Sequence, residues 1–381
     1  MLVFDLHLDL AMNALLWNRD LTLPLDACRG AECGLEGKGR GKNTVTLPEM
    51  RRGRVGLCIA TVLARVHRGA GFGTGYRTHE IAYAVAQGML AYYRQCERMG
   101  ICRLVRTGDE LKATAQVWEA IPPPAPAMGS APAQAEGGGE MLAAAAPAGG
   151  AREGPPFGFV LGTEGADCIV SPSQLPLWWE DGLRVVSLVH YGVSKYAHGT
   201  GTDGPLTPDG RDLLAAMDEI GAILDITHQS DASFWESLEH FRGPVIASHQ
   251  NCRALVPGGR QMSDDQLRAL LARGALIGPA LDNWMLYPHY VRGHTPNVLV
   301  SLNDYVNHID HICQLAGHAR QVAIGSDLDG GYGYEQTPCD LNSIADLQKV
   351  PALLKARGYS DEDVAGIMGG NAVRFFARAL P

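Results

Sequence analysis

Residues 222–249 open with Ala222-Ile-Leu-Asp-Ile-Thr-His228 and close with Pro244-Val-Ile-Ala-Ser-His249. Two short, β-branched apolar runs each end in a histidine, and the histidines stand 21 residues apart, room for a strand, a helix and a second strand. The same punctuation recurs outward along the chain. Apolar runs fall at Leu2–Leu6, Val55–Leu63, Phe157–Gly162, Arg184–Val189, Ala222–Ile226, Pro244–Ala247, Ala275–Gly278 and Gln321–Gly325. Helix-like stretches lie between them: Thr78–Met99 is Ala/Tyr-rich and amphipathic, Asp209–Ile220 follows a Pro start, Ser263–Arg273 opens with a Ser N-cap, and Leu302–Gly317 alternates acidic with apolar residues. Strand and helix alternating eight times predict an α/β fold of the (β/α)8, TIM-like barrel type, whose active sites lie at the C-terminal ends of the strands.

The composition fits one large domain. The chain has 381 residues, 46% apolar and 19% charged, long for a single domain unless that domain is a barrel. We read 1–381 as that domain, with the Ala/Pro/Gly-rich stretch 120–156 as a surface insertion too poor in large apolar side chains to form a core. Asp26–Thr44, rich in Gly, Lys and Arg, reads as a long loop after the first strand, on the catalytic face. A net charge of −9 without a Lys/Arg-rich run argues against nucleic acid as a partner. Residues 1–30 show no basic segment followed by an apolar stretch, and no window approaches ~18 uninterrupted apolar residues. A cytoplasmic protein without a membrane partner is expected. Nine irregularly spaced cysteines suit free thiols; Cys28 and Cys33 would make half a metal site, but no second pair follows.

Five strings place metal-competent side chains at strand ends: His7-Leu8-Asp9, Gly162-Thr-Glu164-Gly, Thr227-His228, Ser248-His249 and Ser326-Asp327-Leu-Asp329-Gly. Residues i and i+2 of a strand share a side, so His7 and Asp9 can grip one ion. Singly, such a histidine is more often a surface or core residue, and Glu164 could form a structural salt bridge. A closed barrel would gather all five. Three imidazoles and two carboxylates suit Zn²⁺ best, though Mn²⁺, Fe²⁺ or Co²⁺ would accept them. With Glu164 bridging, the ligands divide into His7, Asp9 and Glu164 around one ion and Glu164, His228 and His249 around a second. Water between two such cations is acidified and could attack a carbonyl as hydroxide. Asp327 is then the natural carrier of its proton to a leaving amine.

These motifs resemble the membrane (renal) dipeptidases of the amidohydrolase superfamily, over nearly the whole chain. The resemblance rests on Asp5-Leu-His-Leu-Asp9, Gly-Thr-Glu164-Gly, Leu-Val-His190, Pro205-Leu-Thr-Pro-Asp-Gly-Arg211 leading to Asp-Ile-Thr-His228, Ile-Ala-Ser-His249, Gly-Ser-Asp327-Leu-Asp-Gly and Gly-Gly-Asn371-Ala-Val-Arg. It implies a distorted (β/α)8 barrel with two zinc ions, and Glu164 in the bridging place that a carboxylated lysine fills in many relatives. It also implies that His190 reaches the scissile carbonyl oxygen and that Arg260 binds the substrate's C-terminal carboxylate. Arg offers the planar fork that task needs, and Arg260 sits well for it, with a surface arginine as the lesser alternative. His198 and Tyr196 are alternatives to His190. Asp329 faces the same way as Asp327 if the segment is a strand, and the family places the catalytic role on the first Asp.

The expected activity is hydrolysis of a dipeptide with a free C-terminal carboxylate, with L-Xaa-D-Xaa substrates open as in relatives. N-acyl-amino-acid deacylation or lactone hydrolysis at the same centre is an alternative, as is a metal-binding barrel without activity, though the latter predicts a lost ligand and none is missing. A barrel nuclease would need a basic mouth. Secreted relatives carry a signal peptide and a lipid-anchor signal, whereas this chain starts close to its first strand and ends Ala379-Leu-Pro381, so membrane attachment is not expected. Relatives commonly dimerise, which leaves a homodimer open. Asp282–Tyr287 does not align with the family's Tyr-containing loop.

Overall fold

A computed structural model describes residues 1–67, 75–122 and 154–381. Among the described residues eight strands form one parallel sheet: β1 (Val3–Leu8), β2 (Val55–Val62), β3 (Cys102–Leu104), β4 (Phe157–Thr163), β5 (Leu183–Ser187), β6 (Ile223–Asp225), β7 (Val245–Ala247) and β8 (Leu276–Ile277). The path runs β1-β2-β4-β5-β6-β7-β8, and β3 pairs beside the start of β4. Residues 322–324 close the ring. Val322 bridges Ile277 and Ile324 bridges Asp5, both parallel, with Leu6 N–H donating to the Ile324 carbonyl at 2.9 Å. This last stave makes the sheet a barrel, and all eight runs expected from the sequence are staves in it. Every residue of β1, β2, β4 and β5 is buried, as expected for strands covered on both faces.

The helices begin where their caps predict. Thr78, Thr207 and Ser263 cap His79–Arg98, Pro208–Ile220 and Asp264–Ala272 through their hydroxyls, and left-handed Gly221 and Gly317 end Pro208–Ile220 and Leu302–Ala316. Two expectations need correction. The Asp26–Thr44 segment is not wholly loop: Leu25–Ala31 is helical, begins after Pro24 and buries Leu25 and Cys28. Residues 327–329 do not continue the last stave, because Asp327 (φ 55°) and Asp329 (φ 62°) are both left-handed, so the strand rule that would aim them the same way does not apply. Most of the 120–156 stretch, residues 123–153, lies outside the described residues. Among the described residues no helix is long and apolar enough to cross a membrane.

Glycine permits the tightest contact at the barrel mouth. A Cβ on Gly325 would lie 1.9 Å from the Ser248 carbonyl oxygen and 2.9 Å from that of Gly278. Gly88, inside helix His79–Arg98, faces open space instead. Gly325→Ala should therefore destabilise the fold by about 3 kcal/mol, because backbone oxygen cannot yield, whereas Gly88→Ala should stabilise it by about 0.5–1 kcal/mol. Urea midpoints of the two variants would show the opposite signs.

Candidate active site

Each expected ligand sits at or just past a strand's C-terminal end. His7 is on β1 with Asp9 just beyond, Glu164 follows β4, His190 follows β5, His228 and His249 follow β6 and β7, and Asp327 follows the closing stave. The barrel brings them to one point. Glu164 Oε1 lies 3.4 Å from the Nε2 atoms of His190 and His228, 3.5 Å from that of His249 and 3.7 Å from that of His7. His7 Nε2 is 3.6 Å from Asp9 Oδ2 and 3.9 Å from Asp327 Oδ1. Three overlapping sets have ligand atoms close enough for one ion: His7, Asp9 and Glu164; His7, His249 and Asp327; Glu164, His190 and His228. His190 and Asp327, given other roles from sequence, thus stand among the donors.

Supporting hydrogen bonds aim the imidazoles. Ser248 Oγ gives its proton to Asp225 Oδ2 at 2.5 Å, so it accepts from His249 Nδ1 at 2.8 Å. Thr200 Oγ1 donates to the His228 carbonyl at 3.2 Å and accepts from His228 Nδ1 at 2.9 Å. Both Nε2 atoms are left with their lone pairs forward, 3.0 Å apart. Two facing lone pairs repel unless a cation lies between them. Among the described residues both ring nitrogens of buried His7 lack a hydrogen-bond partner, and Asp9 is oriented by the Thr61 hydroxyl. His228 is itself left-handed (φ 69°), a strained placement of the kind found at functional sites.

The electrostatics point the same way. Burial and the neighbouring Asp9 charge push the Glu164 carboxyl well up, and burial with Asp9 raises Asp327 to about 7. Burial opposes protonation of His7, but Asp9, Glu164 and Asp327 outweigh it and raise its pKa to about 10. Burial and Arg260 hold His228 and His249 neutral, and burial pushes His190 down to about 3. Three carboxylates beside three neutral imidazoles and one protonated one, His7, form a donor set short of positive charge. Divalent cations fit it and would displace the His7 proton.

Asp9, Glu164, His190, His228 and Asp327 of the cluster line a cavity of about 960 Å³. Arg260, on the loop after β7, is 5% exposed; it donates to Gln250 Oε1 at 2.8 Å and to the His249 carbonyl at 2.9 Å. Among the described residues it has no carboxylate partner. His190 and Tyr191 line the cavity; Tyr196 instead donates to the Ile169 carbonyl and His198 stacks beside Gly204. Asp329 turns away, accepting from the Thr44 amide (2.7 Å), the Thr44 hydroxyl (2.8 Å) and the Val45 amide (3.0 Å). Sequence reasoning missed Thr200 and the wall residues Lys38, Tyr191, Trp284 and Arg292, which are spread over the segments after β1, β5 and β8 with no shared motif. Cys28 is buried and Cys33 exposed, and among the described residues neither joins a ligand cluster.

Comparison with known proteins places this site in context. The chain is 32% identical to dipeptidase aclJ of Aspergillus oryzae over 224 residues, 56% of this chain and 50% of that protein. It is 30% identical to dipeptidase tcpJ of Claviceps purpurea over 223 residues, 56% and 49% of the two chains. The aligned segment thus spans about half the length of these curated relatives. A Rhodobacter sphaeroides metallopeptidase, solved with a phosphinate mimic of the dipeptide L-Ala-D-Ala, superposes over 100% of this chain and 99% of its own with a TM-score of 0.74 at 20% identity, a likeness of fold. Residues 143–379, more than half of the chain, match the membrane dipeptidase family, peptidase family M19, and the protein belongs to that family.

Proposed function

We propose that the protein is a metal-dependent dipeptidase acting on dipeptides with a free C-terminal carboxylate. One observation carries the reading: Arg260, a buried guanidinium without a carboxylate partner among the described residues, opens onto the same cavity as the histidine–carboxylate cluster. A site that hydrolyses a peptide bond and also recognises a chain terminus needs both, and Arg supplies the matching fork.

His7, Asp9, Glu164, His228 and His249 would hold two divalent cations, Zn²⁺ by preference, with Glu164 shared between them. Bound there, they would acidify water and polarise the scissile carbonyl. Arg260 orients the substrate through its carboxylate. His190, kept neutral by burial, offers an N–H to the carbonyl oxygen as negative charge develops on it. Asp327, raised to about 7, can hold a proton at its carboxyl and pass it to the departing amine. We assign residues 120–156 to an insertion in a single barrel domain. The nine cysteines, all unpaired in the structure, suit a reducing compartment such as the cytoplasm.

Metal-loaded protein should hydrolyse members of an L-Xaa-L-Xaa and L-Xaa-D-Xaa dipeptide library and leave the matching N-acetyl amino acids intact. No turnover of any dipeptide would end this reading, and preference for the N-acetyl compounds would replace it with deacylation. Asp327→Asn should lower kcat by about 10²–10⁴-fold with metal content unchanged, as measured by elemental analysis beside steady-state rates. Ser248→Ala, which frees His249 Nδ1, should weaken metal affinity by about 10–100-fold in a competitive chelator titration.

A further inference from the structure

The cavity carries more basic side chains than a simple dipeptide requires. Lys38, Arg65, Arg260 and Arg292 line it against Asp9, Glu164, Asp282 and Asp327, so divalent cations in the cluster would leave these walls with a net positive charge. Arg260 accounts for one substrate carboxylate. The placement of Lys38 and Arg292 points to a second.

Lys38 is no ordinary surface lysine. Its neighbour Gly39 is left-handed (φ 72°), so close to the Trp17 ring and the Tyr332 backbone that a Cβ would touch both at 3.0 Å. The Gly39 carbonyl accepts from buried Arg19 at 2.6 Å, and Glu32 grips Arg19, Arg40 and the Gly41 amide. This network clamps the backbone on either side of Gly39, so Lys38 leaves a fixed point, its Nζ 5.6 Å from the Tyr332 ring centroid. Among the described residues Lys38 has neither an ion pair nor a hydrogen bond.

Arg292 is positioned as firmly. It stacks over Trp284 at 4.4 Å and gives one hydrogen bond to Asp282 at 3.3 Å; its other N–H groups make none among the described residues. Asp282 is saturated, since it also accepts from the Trp284 indole at 2.6 Å, the Trp284 amide at 3.4 Å and Gln336 at 2.5 Å. It therefore has no oxygen to spare for Lys38. Arg292, held by Trp284 and Asp282, and Lys38, placed over Tyr332, both line the cavity with N–H groups uncommitted among the described residues, and together they make a carboxylate receptor.

We propose that Lys38 and Arg292 form a second anion subsite in the catalytic cavity, and that the preferred substrate is a dipeptide bearing one acidic side chain. The proposal rests on the dipeptidase reading for its substrate but not for its binding test. With metal-loaded enzyme, kcat/KM for Ala-Glu or Glu-Ala should exceed that of the isosteric Ala-Gln or Gln-Ala by about tenfold or more, the size of one charge-assisted contact. The gain should lie in KM and shrink as salt rises. Lys38→Met should reduce that ratio toward one, and Lys38→Arg should retain it. Calorimetry with free glutamate and glutamine supplies a readout that needs no turnover: glutamate should bind more tightly to the wild type, and Lys38→Met should remove the difference. Equal kcat/KM for acid and amide, or a Lys38→Met variant that loses both alike, would overturn the subsite and leave the dipeptidase reading intact. If no dipeptide is cleaved while glutamate still binds in a Lys38-dependent way, the subsite stands and the dipeptidase reading falls.

Discussion

A single carboxylate oxygen, Glu164 Oε1, is ringed by four imidazole nitrogens from four different strand ends. Every one of those contacts is long-range, so the cluster exists only if the barrel closes in the right register. A slip of one residue in any of these staves would turn its histidine away from the others. The closing stave at 322–324 matters most, since it sets β1, which carries His7, beside the turn that carries Asp327. Gly325, where the chain passes against the Ser248 carbonyl, allows that approach.

The protein sustains this concentration of buried charge through an outer layer of hydroxyls. Ser248, Thr200 and Thr61 each hold one inner residue, and Ser248 is held in turn by Asp225. Such bonds fix which ring nitrogen carries the proton, and that choice decides whether a histidine can act as a ligand. Backbone strain is concentrated here too. His228 and Asp327 both adopt left-handed conformations that most side chains avoid, at the two places where a stave must turn sharply to present a side chain inward.

Much of this was legible in the sequence because the staves are buried on both faces and read as unbroken apolar runs, and because the clustered histidines and carboxylates stand at or directly after their ends. β3 was not legible; three residues with one exposed position carry no period. Helix Leu25–Ala31 was masked by its Gly- and Arg-rich surroundings. The pair Asp327 and Asp329 misled for a physical reason: the alternation of a strand was applied to a left-handed turn. Thr200 and Lys38 were invisible for a different one, since nothing near them in sequence shows that Thr200 meets His228 or that the Lys38 loop packs on Tyr332.

The pairing of the first stave with the last has a consequence for how the molecule is made. His7 is synthesised more than 300 residues before Asp327, and β1 lacks one of its two neighbours until residues 322–324 arrive. At about 5–20 residues per second, a nascent chain spends tens of seconds or longer with an open sheet edge and scattered ligands. The growing polypeptide thus cannot assemble the histidine–carboxylate cluster until it is almost complete, and chaperones and free metal meet an unclosed barrel with exposed strand edges before they can meet the assembled site.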